Sequence, residues 1–442
     1  MPVRITTTDN HTHSLRGEEL SGRDDLLSIA GVRIASLVNE HEGLLIFPDS
    51  LYEYGDDIAK QTIIHFEGES KVVTGNLMGF LGSGDTMLKI GSRFDRNGKD
   101  FFLQYMLQKV FSVNMFDMDY NSSMDSLFDF LLFLFPYYLK KAFSQGLYKE
   151  YRTFKRNDSK LKGVLDSGRH IRLNYPPTGN IAYNSREYSY DNPLTELFRH
   201  TIDLIETTTY GQAILSCDGD TKDAVRIVKE QTPSFNRNAR RSVMGKNMRP
   251  KPSPYYYEYE PLRKLCMRIL SHEEIKYGKD EDKVYGVLFD GAWLWEEYLN
   301  LVIGPLGITH PRNKTGENPI YLFRDPRSAP RYPDFIGQDV IIDAKYKHYE
   351  RISPGEIGRE DLSQMISYLY VTKAHHAVIL CPGGEEVRAV SSHLDGYGGM
   401  VSIVNLPIEN KDSFSPFAIS MTQNEEKFIL AIRDLPIFPW RE

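Results

Sequence analysis

The chain has 442 residues, 41% hydrophobic and 26% charged, which is the composition of an ordinary intracellular enzyme with room for two or three hydrophobic cores. Its formal net charge of −7 excludes a protein that coats DNA by bulk electrostatic attraction, so any nucleic-acid contact must be local. Cys217, Cys266 and Cys381 are odd in number, far apart and form no CxxC, so neither a disulfide framework nor a structural zinc site is implied, and a reducing cytoplasm is the expected location.

The start, MPVRITTTDNHTHSLRGEEL, lacks the apolar stretch of a secretion signal, and His11 and His13 read as solvated residues rather than ligands. Residues 1–110 mix short alternating strands, among them GLLIFP, SKVVTG and TMLKIG, with Gly and Asp turns, and read as a β-rich N-terminal domain. The glycine-rich pieces GFLGSGDT (79–86) and CPGGEE (381–386) lack the GK[ST] ending of a P-loop, so no nucleotide is expected to bind this chain itself.

Residues 111–277 read as a mainly helical connector, with helical periodicity over about 111–160, 192–230 and 258–277. FLLFLFPYYL (130–139) is too short for the roughly 20 apolar residues of a bilayer span. It is broken by Pro136 and bounded by Asp129 and Lys140, so a buried helix is expected and no membrane partner. In DNPLTELFRHTIDLIE either Asp191 or Asn192 is placed to cap the helix before Pro193. The segment 237–251 carries Arg237, Arg240, Arg241, Lys246, Arg249 and Lys251 with few acids. It reads either as a DNA-binding element lying along phosphates, each contact worth about one unit of salt slope, or as a solvated linker.

Residues 278–442 hold the chemistry. VLFDGAWLWEEYLNLVIG (287–304) predicts a helix with Phe289, Trp293, Glu296 and Asn300 along one side. A carboxylate beside large aromatics wants a metal or a donor; Glu296 is the candidate, Glu297 the alternative, and a solvated role stays open for either. RYPDFIGQDVIIDAKYK (331–347) predicts a β-hairpin. With Gly337 and Gln338 as a two-residue turn, Ile336 pairs with Asp339 and Asp334 with Ile341. Alternation along the strand then puts Asp343 and Lys345 on the face of Asp334, with the two aspartates as diagonal neighbours roughly 7 to 8 Å apart at Cα. Val340, Ile342 and Ala344 take the other face. Downstream, DLSQMISYLYVTKA (361–374) predicts a helix with Gln364 and Tyr368 one turn apart, able to hold a nucleic-acid backbone or base, followed by strands in HHAVILCPG (375–383) and MVSIVNLPI (400–408).

Two carboxylates this close repel unless a cation sits between them. Phosphodiester hydrolysis asks for a hard divalent cation on oxygen ligands, with an ammonium beside it to orient the attacking water. Asp334 and Asp343 supply the ligands, Lys345 the ammonium, and Glu296 completes the acidic set. The bland alternative is a surface hairpin with an accidental ion pair.

This order of parts resembles the PD-(D/E)XK nuclease superfamily, and the Gln364 to Tyr368 spacing is similar to its RecB-like branch. Segments 73–107, 146–176 and 181–203 further resemble successive blocks of McrC, the nuclease subunit of McrBC-type modification-dependent restriction systems, and of LlaJI-like relatives. One departure is Thr195, where the family pattern suggests Asn, at a turn or cap. The resemblance implies an α+β multidomain chain with a C-terminal α/β restriction-endonuclease-like domain. It implies a Mg²⁺-dependent DNA endonuclease, with Mn²⁺ as a substitute, acting in antiphage defence on double-stranded DNA of the 5-methylcytosine type. The Ala344 carbonyl becomes a further metal ligand. An McrB-like AAA+ GTPase ring becomes the partner, with residues 1–110 as the docking part. Lys89 and Arg93 are candidates for stimulating its GTP hydrolysis, by placing a cation against a neighbour's nucleotide; they read equally as ordinary charges of a strand and turn. Two rivals stand beside this: a non-enzymatic docking subunit of an AAA+ ring, and a stand-alone RecB-like nuclease.

Overall fold

The structure is a computed structural model of the chain and describes residues 3–41, 44–48, 57–95, 98–111, 124–249, 255–275, 284–311, 319–349, 351–396 and 398–435. It mixes helices with five sheets among the described residues and divides into two compact units. One is built mainly from Met1–Val110 and Glu281–Glu442, the other mainly from Ser123–Asp280. Three domains in chain order, 1–110, 111–277 and 278–442, were expected; here the first and last segments share one unit, and the middle one is inserted between them in sequence.

The first unit holds a five-stranded sheet in the order Val3–Thr8, Thr86–Gly91, Leu77–Ser83, Val284–Asp290, Leu44–Phe47. GLLIFP and TMLKIG form strands here, and SKVVTG forms the middle strand of a small antiparallel sheet with Thr12–Ser14 and Ile64–Glu67. Ile5, Leu44, Ile46, Leu77, Leu81, Leu88 and Leu288 are among the residues of its buried core. The strand Val284–Asp290 lies antiparallel to Leu77–Ser83 and parallel to Leu44–Phe47. That approach needs Gly79, whose φ is +137° and whose Cα has no room for a Cβ, since one would stand 2.1 Å from the Val287 carbonyl oxygen. The helix expected from residue 287 therefore begins later. VYGVLFD is buried strand, Asp290 caps the turn through the Ala292 amide at 3.0 Å, and the helix runs Gly291–Ile303. Phe289 thus sits in the sheet and shares no helical face with Trp293.

The second sheet of this unit runs Phe335–Ile336, Val340–Ala344, His376–Pro382, Met400–Leu406, Ala389–His393. The three middle strands are parallel. All seven residues of His376–Pro382 and of Met400–Leu406 are buried, as parallel strands covered on both faces require. The helix Arg359–Thr372 connects Val340–Ala344 to His376–Pro382 and packs Met365, Tyr368 and Leu369 on Ile341, Ala377, Ile379 and Cys381. Trp295 of the helix Gly291–Ile303 donates its indole N–H to the Leu380 carbonyl at 3.3 Å.

The other unit is helical around Met124–Phe143, Pro193–Glu206, Gly219–Glu230 and Tyr259–Ile275. Residues Leu131–Phe135 are buried, as expected of that apolar stretch, but the helix continues through Pro136, which costs one hydrogen bond inside a helix held by its packed face. Asn192, not Asp191, caps the following helix. Its Oδ1 accepts the amides of Leu194 and Thr195, each at 3.1 Å, so the Thr195 departure falls in the cap. The expectation of helix to residue 160 fails at Glu150–Asp158, which pairs with Ile181–Ser189 in a three-stranded sheet completed by Val164–Leu165. Among the described residues no helix is long and apolar enough to cross a membrane.

Candidate active site

The hairpin 331–347 forms, with a wider turn than expected. Ile336 pairs with Ile341 and Phe335 with Ile342, and the Gly337 amide donates to the Val340 carbonyl at 2.8 Å. The register is thus shifted by two residues from the one that a Gly337–Gln338 turn gives. Asp339 cannot pair with Ile336 because it is held elsewhere: its carboxylate accepts the His375 amide at 2.9 Å, and its carbonyl accepts the His376 amide at 3.3 Å. Ile336 in turn exchanges backbone hydrogen bonds with Thr309. An even shift preserves side-chain parity. Asp334, Asp343 and Lys345 therefore share a face, and by extension of the observed register Asp334 stands directly across from Asp343 rather than diagonal to it. The Asp334 carboxylate accepts the Ala344 amide at 2.7 Å, which clamps the two strands at this point.

Asp343 is 1% exposed. Its Oδ2 lies 2.7 Å from Lys345 Nζ yet receives no well-directed hydrogen bond, an under-coordinated buried oxygen. Burial pushes the Asp343 carboxyl above the usual range against the pull of Lys345, and the nearby Asp361 charge pushes the same way. Burial alone would lower the Lys345 ammonium; the carboxylates of Asp343, Asp361 and Asp334 outweigh it, and its pKa is raised. In this arrangement the Lys345 ammonium donates to Gln364 and faces the Asp343 carboxylate.

Gln364 and Tyr368 lie where their spacing puts them, on the helix face above this site. Lys345 Nζ donates to Gln364 Oε1 at 2.9 Å, Gln364 Nε2 donates to the Tyr368 hydroxyl at 2.6 Å, and that hydroxyl donates to the Tyr332 carbonyl at 3.1 Å. An ammonium only donates, so it fixes the amide orientation and with it the direction of the whole chain. Tyr368 is buried, and its phenol is raised above its ordinary value by burial first and by the charges of Asp343 and Asp334 next. Both carboxylates thus act on the same phenol and the same ammonium.

Glu296 is half-buried and reaches the site through a residue that sequence reasoning missed. His310 Nδ1 donates to the Asp334 carbonyl at 2.7 Å, its Nε2 is 3.7 Å from Glu296 Oε1, and its ring lies against Phe335 with centroids 4.9 Å apart. Nothing periodic marks His310 in LGITHP; only the fold brings it to the hairpin. Asp361 and Lys347 were also missed. Asp361 is buried and binds Lys347 at 2.8 Å, with Lys345 3.6 Å away. In sequence it looks like an ordinary acid of a first helical turn.

The donors available to a cation are oxygens: the carboxylates of Asp334 and Asp343 and the Ala344 carbonyl next to Asp343 in sequence, with Glu296 linked to Asp334 by way of His310. Among the described residues no three His, Cys, Asp or Glu side chains form a ready-made cage. Two carboxylates with a backbone carbonyl fit a hard ion that keeps several waters, and the under-coordinated Asp343 oxygen is the atom such an ion would satisfy.

The remaining candidates are elsewhere. Arg237 is paired with Asp203 at 2.8 Å through Nε. Arg240 and Lys246 begin and end a short helix; Arg241, Lys246 and Arg249 are exposed, and Lys251 lies outside the described residues. All belong to the other unit. Lys89 pairs with the buried Asp100 at 2.6 Å. Arg93 is held by Asp9, donates through Nη2 to Asn76 Oδ1 at 3.0 Å and lies over the Tyr346 ring.

A parallel-centred sheet thus carries a carboxylate pair, an ammonium and a helix-borne Gln–Tyr relay on one α/β framework. A family model described as "McrBC 5-methylcytosine restriction system component" matches residues 72–381, well over half of the chain. The chain therefore belongs to the McrBC family of 5-methylcytosine restriction system components, within which its resemblance to McrC falls. It has no match among curated proteins. Two solved structures from Thermococcus gammatolerans are distantly similar. A half-complex from the tetradecameric assembly of McrB AAA+ hexamers with bound McrC has a TM-score of 0.46 and 15% identity over 95% of this chain and 100% of that one. The McrBC complex has a TM-score of 0.32 and 15% identity over 68% of this chain and 87% of that one. Both likenesses are too distant to carry a fold assignment.

Proposed function

We propose that this chain is the DNA-cleaving subunit of its restriction system: a Mg²⁺-dependent endonuclease of PD-(D/E)XK type that cuts double-stranded DNA of the 5-methylcytosine type. It works with an McrB-like AAA+ GTPase, whose hydrolysis it stimulates. One observation carries the reading, the apposition of Asp334 and Asp343 across a hairpin with Lys345 on the same face. Family membership supports the restriction setting and the AAA+ partner.

A divalent cation bound here would supply Lewis-acid stabilisation of charge on the scissile phosphate and a more acidic attacking water. Asp334 and Asp343 would be its carboxylate ligands, with the Ala344 carbonyl and Glu296 as further oxygens. Lys345 orients the water and stabilises developing negative charge by donating hydrogen bonds. Gln364 and Tyr368 hold that ammonium and support the substrate beside it. His310 fixes the backbone of Asp334. With a net charge of −7, DNA is gripped locally, by Arg237, Arg240, Arg241, Lys246 and Arg249.

The test pairs the purified chain with its AAA+ GTPase on DNA containing 5-methylcytosine. Cutting is expected with Mg²⁺ or Mn²⁺ and not with EDTA, and GTP turnover is expected to rise when the chain is added. Asp343→Ala loses cutting and keeps the stimulation. Cleavage that survives in EDTA, or in Asp343→Ala, overturns the assignment.

A further inference from the structure

Asp361 sits in the first turn of the helix Arg359–Thr372, buried, between two ammoniums. Lys347 Nζ lies 2.9 and 2.8 Å from its two oxygens, and Lys345 Nζ lies 3.6 Å from Oδ1. Lys345 therefore has three acceptors around it: Asp343 at 2.7 Å, Gln364 at 2.9 Å and Asp361 at 3.6 Å, an ion pair just past hydrogen-bond distance. An ammonium has three hydrogens.

We propose that Asp361 is a positioning residue that receives the Lys345 ammonium when Asp343 turns its oxygens to a divalent cation. This rests on the metal-dependent reading of the site. The physical reason is competition, because ammonium and dication are both positive, repel each other and want the same buried Asp343 oxygen. A second carboxylate next to the lysine relieves that competition without moving Lys345 out of the site, since Gln364 binds it throughout. Lys347, 54% exposed, keeps Asp361 from standing as an unpaired buried anion in the meantime.

The experiment measures Mn²⁺ binding to the full chain by electron paramagnetic resonance of the free ion, beside DNA cutting by the complex with its AAA+ partner. Asp361→Asn is expected to weaken Mn²⁺ binding about tenfold and to slow cutting by about 10- to 100-fold. Lys345→Gln added to Asp361→Asn removes the competitor, and Mn²⁺ affinity is expected to return to within about twofold of wild type while the residual cutting is lost. Lys347→Gln is expected to bind Mn²⁺ at least as tightly as wild type. Wild-type affinity in Asp361→Asn, or no recovery in the double variant, overturns this inference alone. A wild-type chain that binds no Mn²⁺, or Asp343→Asn that binds it equally well, overturns the metal reading and this inference together.

Discussion

Two buried cation–carboxylate pairs lie in the same unit and differ in how completely they are satisfied. Asp9 is fully buried and accepts the Arg93 backbone amide at 2.6 Å and its Nε at 2.7 Å, with Nη2 on the same oxygen; Arg93 also donates to Asn76. Asp343 is as deeply buried, yet its Oδ2 faces Lys345 without a directed hydrogen bond, and Lys345 is shared with Gln364 and Asp361. A planar guanidinium fork saturates a carboxylate and locks it, whereas a single ammonium leaves oxygen capacity for another ligand. The first arrangement saturates its carboxylate; the second leaves Asp343 with one cation and gives Lys345 several acceptors. The saturated pair therefore speaks against Arg93 as a cation free to reach a neighbour's nucleotide.

The comparison makes opposite predictions for removing each aspartate. Asp343→Ala and Lys345→Ala are each expected to lower the cutting rate by about 10³-fold or more, and Asp343→Ala to change the unfolding free energy by less than about 1 kcal/mol, because Lys345 keeps Gln364 and Asp361. Chemical denaturation and single-turnover cleavage measure both. Asp9→Ala should do the reverse in denaturation, costing about 3 kcal/mol by removing the only carboxylate that holds the part-buried Arg93 guanidinium among the described residues. If Asp9→Ala folded as firmly as Asp343→Ala, the distinction between a saturated and a shared pair would be lost.

Acid sharpens the contrast from another side. His376 is fully buried, with Nε2 2.6 Å from the Ser402 hydroxyl, and burial pushes its pKa from 6.5 down to about 4. A depressed histidine binds its proton in the unfolded chain first, so stability is intact above pH about 6.5 and falls as pH drops toward about 4. The loss from this residue is on the order of 3 kcal/mol. His376→Gln should flatten that part of the profile, and an unchanged slope would rule out the residue as its source.

The smallest effect is expected at the residue that links the two pairs in space. Tyr346 follows Lys345 and shares its hydroxyl with Ser92 Oγ at 2.6 Å, beneath Arg93. Tyr346→Phe leaves Ser92 short of a partner and should cost about 1 kcal/mol, with cutting within about threefold of wild type. A large loss of cutting without loss of stability would instead tie the saturated pair to catalysis.

Much of the site was legible because it is short-range. Strand alternation put Asp334, Asp343 and Lys345 on one face, and helical spacing put Gln364 over Tyr368; both survive a register error of two residues. The strands GLLIFP, SKVVTG, TMLKIG and AVILCP and the buried stretch at 131–135 were likewise visible as local patterns. The strand 284–290 was misread because VLFDGAW carries apolar residues compatible with either period, and its partners are about 200 residues away.

By itself, then, the sequence determined which side chains can face one another along a strand or a helical turn, since those periods are set by backbone geometry within a few residues. Only the tertiary structure decided the pairing of Phe335 with Ile342, the anchoring of Asp334 by His310, the placing of Asp361 beside Lys345, and the entry of Val284–Asp290 into the N-terminal sheet. Each of these depends on the competition among distant segments for the same hydrogen bonds and the same buried space, which no local pattern encodes.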